Sequence, residues 1–427
     1  MFSICIILIC LSLLLIQKII FPKESILIAP IFFVVFSQIY FFSSPPRFFS
    51  EYSIDVLIYH IVSIFLLSIT LIFFHIKYLQ REIVKVKVFD FNENYFLSCA
   101  IIFLLIPYVI FLLNGIDIFS ILTRFYKTSI FEDSRLEKYS TIINLITRSV
   151  YLLIIISRFL FNYTTDKKYK IAWYFFLILS VVTVMSTGVR SGLVFLVLSI
   201  IIVDVCCFGN IFSKKFLKNI FIYTVIGLIV LPSIFILSQF RNTSFDNFQD
   251  FKSNITLENL TNSSSVEDTN FYNLNDMVAY SVNHYSQDPC LMCSVKMIIL
   301  IPIPRFIWPE KPVGFGKQLA HDMAGAPLQG PGLSLAAGLP GEATYNLGVW
   351  GIIIFPIIFG ALLSLAFGVL KYSKKVFLAS CGLFFLVSYI GTYRGDWLSI
   401  PSFFINCLFV YVVIIISKLI SRVKIKL

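Results

Sequence analysis

Charge-free runs of about twenty residues recur along almost the whole chain, and they decide what it can fold into. A helix needs roughly 20 apolar residues to cross the hydrocarbon of a bilayer. Inside lipid every backbone amide and carbonyl must be satisfied within the segment, so each run is expected to be helical. Eleven spans are placed at 2–18, 26–44, 54–76, 95–113, 141–161, 171–187, 191–209, 219–239, 347–370, 376–393 and 400–417. The alternating ten-residue pattern of an outer-membrane barrel is absent. Composition agrees: 58% of the 427 residues are hydrophobic, 13% are charged, and the mean hydropathy is +0.89. An average soluble domain is about a quarter charged. The sequence therefore excludes a soluble enzyme, a disordered chain and a nucleic-acid-binding domain. The net charge of +11 is expected to serve a membrane.

Charge placement orients the chain. Basic residues cluster after the first span (Lys18, Lys23), after the third (Lys77, Arg81, Lys85, Lys87) and after the fifth (Arg158, Lys167, Lys168, Lys170). Further clusters follow the seventh (Lys214, Lys215, Lys218), the ninth (Lys371, Lys374, Lys375) and the last (Lys418, Arg422, Lys424, Lys426). Short loops rich in Lys and Arg stay on the cytoplasmic side. The N-terminus is thus expected outside and the C-terminus inside, and the first span is expected to be retained rather than cleaved as a signal. The outer side carries eight of the arginines: Arg47, Arg124, Arg135, Arg148, Arg190, Arg241, Arg305 and Arg394. Lysine suffices to anchor a loop at an anionic leaflet. Arginine offers a planar fork that grips phosphate through two hydrogen bonds. The excess suggests a phosphate-bearing ligand on the outer face.

Three regions organise the chain: spans one to eight in 1–239, a large outer loop in 240–346, and spans nine to eleven with a basic tail in 347–427. Two outer segments are too long for plain connections. The shorter covers 114–140, where Ile116–Tyr126 suits a helix lying in the interface. In the large loop an Asn/Ser/Thr-rich stretch leads to a more apolar one, Met277 to Ile303, expected to lie on or dip into the membrane as a helix. A Pro- and Gly-rich part follows, from Pro302 to Gly348. Cys290 and Cys293 form a CxxC there, which an oxidising exterior would allow to bridge. The other cysteines fall in or beside spans as small apolar residues.

Ionisable groups at membrane depth are costly and mark function. Arg148 lies about two turns into the fifth span. Arg190 sits in the turn Thr187-Gly188-Val189-Arg190-Ser191-Gly192, whose glycines permit a sharp bend and close approach to a ligand. Arg394 and Asp396 occupy Gly391-Thr392-Tyr393-Arg394-Gly395-Asp396-Trp397 at the outer end of the tenth span. The alternative is that Arg190 and Arg394 reach to the interface along their own stems. In Ile301-Pro302-Ile303-Pro304-Arg305-Phe306-Ile307-Trp308-Pro309-Glu310-Lys311-Pro312, prolines stiffen the support of Arg305 and Lys311, as an anion clamp requires. His321 is a loop histidine, a candidate base or a solvated residue. Glu342, at the mouth of the ninth span, is a site carboxylate or a charge stabilised by a helix N-terminus. No cluster has metal-ligand spacing, and no cofactor fingerprint occurs, so neither a metal nor a cofactor is expected.

At these residues the sequence resembles the O-antigen polymerases, the Wzy family of oligosaccharide repeat-unit polymerases. The resemblance rests on the many spans, the late outer loop, Thr187 to Gly192, the Pro-Arg…Trp-Pro-Glu-Lys-Pro segment and Gly341-Glu342…Tyr345-Asn346-Leu347-Gly348. The Arg305 to Gly316 spacing matches an Arg-x10-Gly pattern of the family, whereas the same spacing from Arg190 reaches Ile201.

The resemblance implies an all-α polytopic, GT-C-like glycosyltransferase of the bacterial inner membrane that acts at the periplasmic face. Donor and acceptor would be glycans on undecaprenyl pyrophosphate. A chain-length regulator and a flippase would be partners, nucleic acid would not, and lipids would surround the spans. Arg190, Arg305, Arg148, Arg394 and Lys311 would hold pyrophosphate. Glu342 or His321 would be the base, and Trp308 and Tyr345 would meet sugar. The competing classes are an O-antigen ligase, a lipid-linked oligosaccharide flippase and a structural partner of an assembly complex.

Overall fold

A computed structural model describes residues 2–20, 30–42, 44–76, 88–89, 91–115, 139–186, 190–208, 219, 223–224, 227–228, 273–300, 308, 313–328, 334–395, 397 and 399–425. Among these the chain is helical, with one isolated bridge between Val88 and Lys375. The helices are α1 (Phe2–Ile20), α2 (Pro30–Phe42), α3 (Ser53–Ile76), α4 (Glu93–Leu113), α5 (Ser140–Tyr163), α6 (Lys167–Ser186) and α7 (Arg190–Phe208). They continue as α8 (Leu274–Tyr285), α9 (Cys293–Leu300), α10 (Phe315–Ala324), α11 (Gly338–Leu347), α12 (Gly351–Tyr372), α13 (Val376–Gly395) and α14 (Ser399–Ile425).

Seven described helical stretches are long and apolar enough to cross a membrane: α1, α3, α4, α5, α11 with α12, α13 and α14. The protein is a polytopic membrane protein. Seven of the eleven expected spans coincide with these stretches. The expected spans at 26–44, 171–187 and 191–209 meet α2, α6 and α7, which are helical over their described residues. The expected span at 219–239 lies almost wholly outside the described residues.

Two compact units emerge. The first takes Met1–Val84, Asn270–Ser373 and Cys381–Phe404. At its centre α12 packs along α3. Gly360 makes this possible, because a Cβ there would meet the Leu67 carbonyl at 2.8 Å. Ile64, Leu67 and Leu71 on α3 and Phe359, Leu363 and Phe367 on α12 are buried around that contact. Lipid tails are as apolar as leucine, so close backbone approach and van der Waals packing hold such helices together. Gly382 does the same for α13, where a Cβ would stand 2.5 Å from the Ala366 carbonyl of α12.

The second unit takes Lys85–Thr269, Lys374–Ser380 and Ile405–Leu427. Its α5 is continuously buried from Leu152 to Leu160. Arg158 does not anchor an inner loop, as the charge pattern suggests. It is fully buried and donates from Nε to Asp204 of α7 at 2.7 Å, with a second bond from Nη2. Asn162, Asn219 and the Tyr223 hydroxyl donate to the same carboxylate. The Phe161 and Trp173 rings lie 4.6 and 4.8 Å from the guanidinium carbon. A carboxylate with this many donors is spent as an acceptor, so the node serves structure.

The apolar stretch from Met277 to Ile303 is not one helix. It divides into α8 and α9, joined by a turn in which Cys290 and Cys293 are bridged. The start of α8 shows why it forms there. Asn273 caps it by accepting from the Asp276 N–H at 2.8 Å, and the Asp276 side chain accepts from the Asn273 N–H at 2.8 Å. This reciprocal arrangement satisfies two donors that every helix start leaves open.

Candidate functional site

The site grows from the first turn of α11, Gly338-Leu339-Pro340-Gly341-Glu342, in the first unit. Three neighbours crowd that turn, and glycine is what admits them. Gly338 has φ +66°, and a Cβ on it would stand 2.3 Å from the Phe42 ring at the end of α2. Gly395, at the end of α13, has φ +110°, and its Cβ would meet the Gly338 amide nitrogen at 2.5 Å. A Cβ on Gly341 would reach the Ser281 hydroxyl of α8 at 3.2 Å. Only a residue without a side chain takes up the first two conformations without strain. The Gly391–Trp397 and Gly338–Glu342 segments, both singled out by sequence, therefore pack backbone against backbone.

Glu342 is 2% exposed at this junction. Its carboxylate accepts from the Trp397 N–H at 3.3 Å. The Trp397 ring is buried against Phe355 (4.4 Å) and Phe359 (5.4 Å) of α12. Arg394, one turn earlier on α13, is exposed, with its guanidinium carbon 5.8 Å from the Phe41 ring centroid. The structure thus sets a buried carboxylate and an accessible cation in neighbouring turns.

Several polar side chains that the sequence reading passed over converge on the same region. His60, fully buried in α3, meets Asn275 Oδ1 through Nε2 at 2.9 Å. The Asn275 amide nitrogen donates to the backbone carbonyls of Ser44 and Phe42, which fixes its oxygen toward His60. Nε2 must therefore carry the hydrogen, and Nδ1 is left as a bare acceptor. The Phe42 ring lies 4.8 Å from the imidazole and 5.9 Å from Tyr393. The Tyr393 hydroxyl donates to Gln38 Oε1 at 2.6 Å, which leaves the Gln38 amide nitrogen free. Among the described residues, His60 Nδ1, Gln38 Nε2 and Trp397 Nε1 are buried without a hydrogen-bond partner. Buried polar atoms in native proteins are nearly always paired, so such a group marks where water or a ligand sits. One acceptor and two donors suit hydroxyl groups, which both donate and accept.

Helices α8, α10 and α11 add an aromatic core. Tyr345 of α11 packs 5.0 Å from Tyr285 and 4.5 Å from Phe315, ring centroid to centroid. It is buried there, in the packing of the loop. The Tyr285 hydroxyl donates to Asp322, which also accepts from the Gln318 amide at 2.9 Å. Burial, reinforced by the Asp322 carboxylate, pushes the Tyr285 hydroxyl above the usual tyrosine range. His321 is exposed, and its Nδ1 bonds the Ala326 carbonyl at 2.9 Å. A carbonyl only accepts, so Nδ1 donates and Nε2 remains as the basic nitrogen facing water.

Of the residues expected at the site, Glu342 and Arg394 share the junction. Tyr345 lies on α11 and His321 on α10 of the same unit, and Trp308 is exposed. Arg148 is exposed on α5, and Arg190 opens α7, both in the second unit. The Arg190 side chain, Arg305, Lys311 and Asp396 lie outside the described residues. Gly192 admits the Tyr151 side chain, since a Cβ there would meet the Tyr151 hydroxyl at 2.5 Å. One signal for the overlooked groups was legible: Asn273-Leu274-Asn275-Asp276 is a helix-cap pattern. His60 and Gln38 are polar residues inside otherwise apolar runs. No protein-family model matches the sequence, and no curated protein and no solved structure matches it either.

Proposed function

We propose that this chain polymerises undecaprenyl-pyrophosphate-linked oligosaccharide repeat units by glycosyl transfer at the periplasmic face of the bacterial inner membrane. The observation that carries the reading is the junction of α11 with the end of α13. There a buried carboxylate, an exposed arginine and unspent hydroxyl-matching atoms belong to one compact unit. In the proposed reaction the acceptor sugar hydroxyl attacks the anomeric carbon of the donor. The new C–O bond forms as the bond to pyrophosphate breaks, and the hydroxyl proton passes to a base, Glu342 or His321. Undecaprenyl pyrophosphate leaves with the electron pair. Arg394, with Arg305, opposes the charge that develops on the departing group.

Preorganised donors of this kind are worth roughly 3–4 kcal/mol each, or about 10²–10³ in rate. A base contributes on the order of 10²–10⁴-fold. The test is a deletion strain complemented with Glu342→Gln or Arg394→Ala, its surface glycan resolved on a gel. The reading expects single repeat units on lipid A core from protein that inserts normally. Wild-type ladders from both variants would refute it. Loss of all glycan from the core would point to a ligase instead.

A further inference from the structure

The turn between α8 and α9 carries an apolar tip in a costly conformation. Leu291 and Met292 have φ of +48° and +69°. That is the left-handed region, where an L side chain crowds the following carbonyl. Both residues are nonetheless exposed, Leu291 to 64%. Backbone strain of this kind persists only where the surroundings impose it, and it concentrates where it serves a purpose.

Two restraints impose it. The Cys290–Cys293 disulfide closes the four-residue turn. Backbone bonds then fix the turn to the end of α11, with Cys290 N–H donating to the Tyr345 carbonyl at 2.8 Å and Met292 N–H to the Asn346 carbonyl at 2.9 Å. The Asn346 side chain accepts from Ser294 N–H at 2.8 Å. Gly348 lets the partners approach, because a Cβ on it would meet the Ser286 carbonyl at 2.5 Å.

These bonds hold the turn against the last residues of α11, three residues before Val349 and Trp350, both exposed, Trp350 to 70%. Trp350 immediately precedes α12. On α12, Ile353, Ile354, Ile357 and Ile358 are exposed at helical spacing, the face that a span presents to lipid. Trp350 continues the same spacing just before α12, and the turn is bonded to the chain immediately ahead of it. The sequence Pro289-Cys290-Leu291-Met292-Cys293-Ser294 carries no charge, and a tryptophan at the end of a span belongs to the headgroup level.

We infer that the bridged turn is a membrane-interface anchor. Leu291 and Met292 enter the boundary between headgroups and acyl chains beside Val349 and Trp350, and the disulfide keeps the backbone in the conformation that presents them. The occupant of this surface is lipid. The inference is independent of the proposed reaction. It ties the outer helices to the bilayer at the corner where α11 becomes α12.

The test uses the full chain in vesicles of phosphatidylethanolamine and phosphatidylglycerol. A fraction of the lipid carries a nitroxide quencher either near the headgroup or deep in the acyl chain. Leu291→Trp adds one fluorophore to the four native tryptophans. The added emission should be quenched more by the shallow label than by the deep one. Met292→Trp repeats the measurement should the first variant misfold, and Trp350→Phe should remove a lipid-quenchable component from the wild-type signal. Reduction, or Cys290→Ser with Cys293→Ser, should lessen the quenching of the added tryptophan. Added emission that neither label quenches overturns the anchor, including when it is blue-shifted, since protein rather than lipid then covers the tip. Quenching that ignores the loss of the bridge overturns the role given to the disulfide.

Discussion

The buried Arg158–Asp204 node invites a perturbation whose size follows from its geometry. Asp204→Leu removes the acceptor of Arg158 Nε and Nη2 and leaves a guanidinium fully enclosed. One of its nitrogens, Nη1, already has no partner among the described residues. Breaking a buried pair by deleting one member costs about 3–5 kcal/mol, because the remaining charge stays desolvated. Contacts with Phe161 and Trp173 offset on the order of 0.5–2 kcal/mol of that, so Asp204→Leu should lose at least about 1 kcal/mol.

Arg158→Met leaves Asp204 with three donors, Asn162, Asn219 and Tyr223. Each bond to a charged group is worth roughly 1.5–3 kcal/mol, so the arginine variant should lose less than the aspartate variant. The double variant Arg158→Met with Asp204→Leu removes both charges and should recover much of the loss, as hydrophobic replacement of buried pairs does elsewhere. Unfolding in detergent micelles, followed by circular dichroism for wild type, both single variants and the double, gives the coupling energy directly. Additive losses, or single variants within about 0.5 kcal/mol of wild type, the range of an ordinary surface change, would refute the assignment of a structural ion pair.

At the junction, Gly395→Ala forces a Cβ into the Gly338 amide while keeping φ at +110°, so the Trp397–Glu342 bond should open. The left-handed conformation alone costs roughly 1–2 kcal/mol; a wild-type unfolding temperature together with an intact glycan ladder would contradict this. At the end of α8, Tyr285 is held protonated by burial and by Asp322, above its ordinary range. That stability is complete below about pH 10, the unfolded value, and is lost as pH rises beyond it. Tyr285→Phe should therefore flatten the alkaline fall in unfolding temperature, and unchanged slopes would count against the reading.

Much of the architecture is legible because it depends on local composition. A span is a charge-free run, and α1, α3, α4, α5, α12, α13 and α14 lie where such runs place them. The division of Met277 to Ile303 is not legible that way. Its break depends on two left-handed residues restrained by a bridge and by backbone partners more than fifty positions away, which hydropathy does not register. Arg158 misleads for a similar reason. A basic residue near a span end reads as an interfacial anchor until Asp204, 46 residues on, is seen to enclose it. Glu342 and Arg394 were visible as ionisable groups beside glycines. Their burial and exposure were not, since both follow from which backbones touch. His60 shows locally only as a polar residue in an apolar run, since its partner is 215 residues away.

Asn275 and Asp276 grasp the 42–49 segment almost entirely by its main chain. Asp276 takes the amides of Arg47 and Phe48 at 2.6 and 2.7 Å, while Asn275 gives to the carbonyls of Ser44 and Phe42. A grip of this kind is indifferent to most side chains in the segment it holds and intolerant of change in the two residues that do the holding. Variation along 44–49 is free to tune whatever passes over that surface, provided no proline takes away an amide at 47 or 48.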